Sequence, residues 1–425
     1  MRPITRVSVA RLLAGFVIAG AAIVAAGGGA DGAVSVPPTA SLAGTVGAPY
    51  TIEVLPQVEL VSGVLSLTPV WVEDADYPSP PSPYLQALQT RLFPYRAHQA
   101  FAIAGELRRR GFSDDSYAIF AHHLGPLPEL ELRYEYSEYI KGWAKDREIL
   151  ERFRLALKDL AAVSGFEAFA REWAPEYAEW VAQVRGTFDG EEVIRWLEEF
   201  FGPGAAAPAA YRVALAPSWY PGGGFGGTLS GLDGRPIVLE TILEAGQGAS
   251  EPTFTFENPY GLDLQWVTTH EWGHHFSDKA LDRSQDLYAK LDPLYQSTIR
   301  RTQDAGVPSL SVFVHEQVLR AVVCLATEEW RGREAVEKEM PFHERQGFLW
   351  TRQTVAILRD YQANRATYPD FASFAPALLG RMARLRPPLP GWVWPAAAGF
   401  AALATLALAW GLRRRARLRR PPIAP

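Results

Sequence analysis

The chain has 425 residues, 42 of them basic and 47 acidic, with eight histidines and a single cysteine. All the acids but only 33 of the basic residues fall in 31–390, which leaves that stretch at a net −14. So acidic a body argues against nucleic acid or anionic lipid as partners, and one cysteine excludes an internal disulfide and a cysteine-built zinc cage.

The chain opens on "MRPITRVSVAR", which holds three arginines and no acid, followed by the apolar run "LLAGFVIAGAAIVAA" and the small residues "GGGADGA". That order predicts a secretory signal peptide over 1–33, with an uncleaved anchor helix as the alternative. Small, turn-forming residues make 34–49 a linker. "YTIEVLPQVELVSGVLSLT" (50–68) alternates and predicts one or two strands. These open a segment, 50–206, that is otherwise a helical subdomain. After a proline-rich loop, "DADYPSPPSP" (74–83), apolar residues recur three and four apart through about 202. Asp189 reads as the N-cap of the last helix there, and Gly202 as its stop.

The period then changes. "AAYRVALAPSWY" (209–220) and "RPIVLETIL" (235–243) read as strands. The glycine-rich stretch between them reads as a hairpin tip. Its formal G-x-G-x-x-G (Gly222, Gly224, Gly227) is no dinucleotide site, because a turn and a strand follow it and not a helix. Helices resume at 260–281, 308–330, 343–364 and 371–385 and complete a second segment, 207–388. The expected class is α+β. "GWVWPAAAGFAALATLALAWGL" (391–412) is 22 uncharged residues with tryptophans at both ends, enough to span a bilayer of about 30 Å. "RRRARLRR" (413–420) opens the basic tail 413–425. The positive-inside rule holds that tail in the cytoplasm and the body outside, in the periplasm or at the cell surface.

"THEWGHHFSD" (269–278) carries the chemistry. His270, Glu271 and His274 spell H-E-x-x-H. On a helix, residues four apart share a face, so two imidazoles can aim at one point. Glu271 lies about 100° round, beside a metal but free to act on its water. In a chain of this composition the pattern arises by chance on the order of one time in a hundred. A zinc site needs a third protein donor and one position for water. Ser277 and Ala280 stand where a third-histidine pattern would need glycine and histidine. Glu316, in "VHEQVLRAVV" on an apolar helix, is the favoured third ligand. A salt bridge to Arg320 is its bland alternative, and Asp278 and then His315 are the runners-up. His315 and Arg320 also stand as candidates for contact with substrate or transition state. Cys324, in "AVVCLA", reads as a small buried apolar residue.

"HEWGHHFSD" followed by "HEQVLRAVV" resembles the gluzincin pattern, in which a glutamate on a later helix completes a zinc site. The run from "PQVELVSGVLSLT" to "HEQVLRA" is similar to a family of secreted, mostly bacterial proteins, catalogued as a domain of unknown function and regarded as zinc peptidases, over about 50–385. The resemblance implies a zincin-like catalytic domain over 207–388 and one Zn2+ ion on His270, His274 and Glu316. It implies Glu271 as the base that activates water against a peptide bond. It also implies an edge strand ("GGFGGTLSG" or "PIVLETI") that pairs with a peptide substrate. In the pattern an acid one turn after the ligand glutamate supports a metal-bound histidine; here that place is Arg320, so support must come from elsewhere. The expected function is a membrane-anchored, extracytoplasmic zinc peptidase. The alternative is a non-catalytic peptide- or protein-binding module on the same scaffold.

Overall fold

Side-chain caps start many of the helices. Ser82, Asp189, Asp263, Ser309 and Asp370 each accept the backbone N–H three residues on, which satisfies a donor that the first helical turn leaves open. Gly202, at φ +80°, ends its helix in a conformation that favours glycine. The computed structural model describes residues 50–68, 82–202, 210–219, 224–233, 236–244, 254 and 260–387. The expected signal segment, linker, membrane span and basic tail, with most of the proline-rich loop, lie outside the described residues.

Strand β1 (Tyr50–Val54) is followed by α1 (Pro56–Ser66), α2 (Pro83–Leu92), α3 (Gln99–Arg109), α4 (Asp114–His122), α5 (Glu138–Ala144), α6 (Arg147–Ser164), α7 (Phe166–Glu172), α8 (Ala174–Arg185) and α9 (Gly190–Phe201). Then come β2 (Ala210–Ala216), β3 (Gly224–Ser230) and β4 (Pro236–Glu244). The chain continues with α10 (Leu264–Asp282), α11 (Asp292–Asp304), α12 (Leu310–Arg331), α13 (Arg333–Arg345), α14 (Thr351–Ala363) and α15 (Phe371–Met382). The protein is therefore mostly helical with one small sheet.

Two expectations need correction. Only 50–54 of the stretch 50–68 is a strand; 56–66 is helical. Pro56 sits in its first turn, where a missing N–H costs nothing. Nine consecutive residues of α1, Gln57–Leu65, are buried, so no polar face marks a helical period. The glycine-rich stretch is not just a hairpin tip: Gly224–Ser230 is itself a strand.

The sheet order is β1-β2-β4-β3. β1, β2 and β4 are parallel, and β3 runs antiparallel to β4 at the edge. Tyr50 pairs with Tyr211, so the strand that opens the described chain belongs to the same sheet as the strands that precede α10. The far end of β3 is covered: the Glu135 N–H donates to the Ser230 carbonyl at 2.9 Å.

Helix α10 packs on this sheet. Trp272, fully buried, sets its ring against Tyr211 (5.0 Å between centroids), Phe188 (6.2 Å) and Tyr50 (6.4 Å). Helix α12 packs across α10. It is the one helix among the described residues long and apolar enough to cross a membrane, and it is largely buried inside the protein. Gly273 makes the crossing close: a Cβ there would stand 2.5 Å from Leu319 Cδ1.

Candidate metal centre

The residues of H-E-W-G-H point in different directions round α10, as a 100° step dictates. Trp272 goes to the sheet. Gly273 goes to Leu319 of α12. Glu271 and His275 go to the edge strand, where Glu271 accepts the Gly226 N–H and His275 Nδ1 hydrogen-bonds with the Thr228 hydroxyl at 2.9 Å. His270 and His274 go to α12 and meet Glu316.

His274 Nε2 is 3.0 Å from Glu316 Oε1, and His270 Nε2 is 3.5 Å from Glu316 Oε2. Donors about 2.1 Å from one tetrahedral ion stand roughly 3.4 Å apart. At 3.0 Å, His274 Nε2 and Glu316 Oε1 are close enough for a hydrogen bond, yet both atoms are buried with none. Two imidazole nitrogens and a carboxylate oxygen at this spacing fit a divalent cation, and the donor set suits zinc.

The electrostatics agree. Burial opposes charge on Glu316, but His270 and His274 outweigh it and hold the carboxyl well below its usual range. On His270 burial outweighs the pull of Glu316 and pushes the imidazole down to about 4. On His274 burial is outweighed by Asp278 and then Glu316, which hold it well above the ordinary histidine value. A metal entering there displaces a proton. Burial pushes Glu271 up to about 8. A divalent cation held by His270, His274 and Glu316 would favour the ionised form that a base needs.

Of the runners-up, Asp278 stands behind His274, with both carboxylate oxygens 3.2 Å from Nδ1 and the Ser277 hydroxyl on one of them. It is placed where a metal-bound histidine would take the support that the sequence leaves unassigned at Arg320. His315 lies 3.5 Å from Asp278 and 2.9 Å from Asp282 and the Tyr288 hydroxyl. Arg320 donates to Glu316 from Nε at 3.2 Å and is 1% exposed. The salt bridge and the convergence with the histidines, set against each other in the sequence reading, therefore coexist on Glu316. Asp282 and Tyr288 were not legible as neighbours of the site, since a turn of 3₁₀ helix brings Tyr288 back to α12. Nor was the stacking of Trp266 on His270 (5.3 Å, 7° between planes), although its i, i+4 spacing carries that signal.

A family model described as a domain of unknown function (DUF4932) matches residues 52–380. No curated protein and no solved structure matches the chain. The match spans most of the chain, which therefore belongs to the DUF4932 family.

Proposed function

We propose that this DUF4932 protein is a zinc-dependent peptidase with a zincin-like core, held outside the cytoplasmic membrane by its C-terminal apolar segment. The observation that carries this reading is the meeting of His270, His274 and Glu316 from two helices, with Glu271 beside them against an edge strand. Zinc bound there would supply a water of pKa around 7 and polarise the scissile carbonyl. Glu271 takes the proton from the attacking water and delivers it to the leaving amine. Asp278 fixes the tautomer of His274 by accepting from Nδ1, which leaves Nε2 as the ligand atom.

The antiparallel edge strand β3 supports a peptide as the substrate. An extended chain can add to Gly224–Thr228 by backbone hydrogen bonds once Glu271 releases the Gly226 N–H. Glu135 already occupies Ser230, so the added strand is short at that end.

The test is metal analysis of the purified full chain followed by digestion of a mixed peptide library. Zinc-dependent cleavage, abolished by chelation and restored by zinc, is expected. Peptides bound by the zinc-loaded protein but never cut would replace this reading with the binding-module alternative.

A further inference from the structure

A second trio of metal-capable side chains lies one layer deeper. Cys324, Glu339 and His343 are 0–1% exposed, and one ligand atom from each lies within 4.8 Å of the others. His343 Nε2 is 3.6 Å from Cys324 Sγ and 3.8 Å from Glu339 Oε1, distances a tetrahedral ion could bridge.

Donor accounting excludes that use. Arg320 Nη1 lies 3.4 Å from His343 Nδ1. A guanidinium only donates, so Nδ1 must present its lone pair, and the imidazole proton sits on Nε2. A protonated Nε2 cannot ligate; it points at the thiol and at Glu339. A metal on Nε2 would instead set an Nδ1–H against an Arg320 N–H inside the protein, next to a fixed positive charge. Burial also keeps the Cys324 thiol protonated. The trio is the far anchor of Arg320.

The near end of Arg320 is the metal ligand. Its Nε donates to Glu316 Oε2 at 3.2 Å, which leaves Oε1 without a hydrogen bond, 3.0 Å from His274 Nε2. The guanidinium lies 4.1 Å from the Phe348 ring centroid and 5.3 Å from that of Phe342, so its plane is held as well as its hydrogen bonds. We propose that Arg320, locked by His343, is a positioning residue that presents Glu316 to the metal through Oε1 alone. The guanidinium also offsets the carboxylate charge, so the donor set of two neutral imidazoles and this ion pair has no net charge.

The proposal rests on the zinc reading, and its test separates the two. Zinc affinity of the full chain is measured by competition with a chromophoric chelator, metal content is counted, and the visible spectrum is recorded with cobalt in place of zinc. His343→Leu removes the acceptor for Arg320, and His343→Gln can restore it. Arg320→Lys keeps the charge but cannot span Glu316 and His343 together. We expect about one metal per chain in the parent, and zinc affinity roughly 10- to 100-fold weaker in His343→Leu and Arg320→Lys. Their cobalt spectra should shift as Glu316 reorients, and His343→Gln should return to near the parent on both readouts. Parental affinity and spectrum in Arg320→Lys or His343→Leu overturn the proposal while the zinc site stands. Two metals per chain in the parent overturn it by making the trio itself a site. No metal in the parent removes the zinc reading beneath it.

Discussion

Glu59 and Glu271 are both buried glutamates, and burial pushes each up to about 8. Their surroundings differ. Glu59, on α1, takes the Ser218 N–H at 3.1 Å and lies against the hydroxyls of Ser218 and Tyr84; Tyr84 in turn meets Tyr177 at 2.7 Å. Those neighbours are neutral and only tie elements together. Glu271 feels His274, Glu316 and Arg320, and it accepts the Gly226 N–H of the edge strand β3. A perturbed carboxyl therefore does not by itself locate chemistry. What sets Glu271 apart is the cluster of His270, His274 and Glu316 beside it.

The comparison predicts a sharp asymmetry. Glu271→Gln should keep zinc and lose about 10²- to 10⁴-fold in turnover, because glutamine cannot accept the proton. Glu59→Gln should leave kcat and KM unchanged. Steady-state kinetics on any peptide found in the library screen checks both; equal losses in the two variants would erase the distinction.

Glu59 should show itself in stability instead. Its folded value of about 8 is above the 4.5 of the unfolded chain, so its contribution is fully present below 4.5 and is lost as pH rises through about 8. Above that, ionised Glu59 costs on the order of a few kcal/mol, and Glu59→Gln avoids it. Denaturant melts at pH 6 and pH 9 should show the parent weakening and the variant much less so. Zinc should not alter this pH dependence, whereas it should alter any that comes from Glu271.

Asp278→Asn should weaken zinc by roughly 10- to 100-fold with little change in fold, since the support of His274 is lost but not the ligands. Gly273→Ala forces a methyl against Leu319, and overpacking of that kind costs typically about 1–3 kcal/mol. Thermal melts and chelator competition would show whether α10 and α12 part enough to loosen Glu316 as well.

What the sequence displayed and what it hid follow one rule. Local periodicity and caps were legible: the helices through 202, the cap at Asp189, the stop at Gly202, and the face shared by His270 and His274. Glu316 was reachable because a buried acid on an apolar helix demands a partner. Pairings between distant segments were not legible. Helix α1 is buried over most of its surface and showed no helical period. The strand Gly224–Ser230 forms through its ladder with β4. Asp278 read as a rival ligand, because the sequence could not show that His274 turns Nδ1 toward it. Arg320 read as a substrate contact, because nothing local ties it to His343 on the next helix.

The central claim is that Glu316 completes a zinc site with His270 and His274. The most direct measurement is zinc per chain, by atomic spectroscopy, in the parent and in Glu316→Ala after dialysis against a mild chelator. The account predicts about one zinc in the parent and almost none in the variant. Equal zinc in the two proteins, or none in the parent after zinc is supplied, would contradict it.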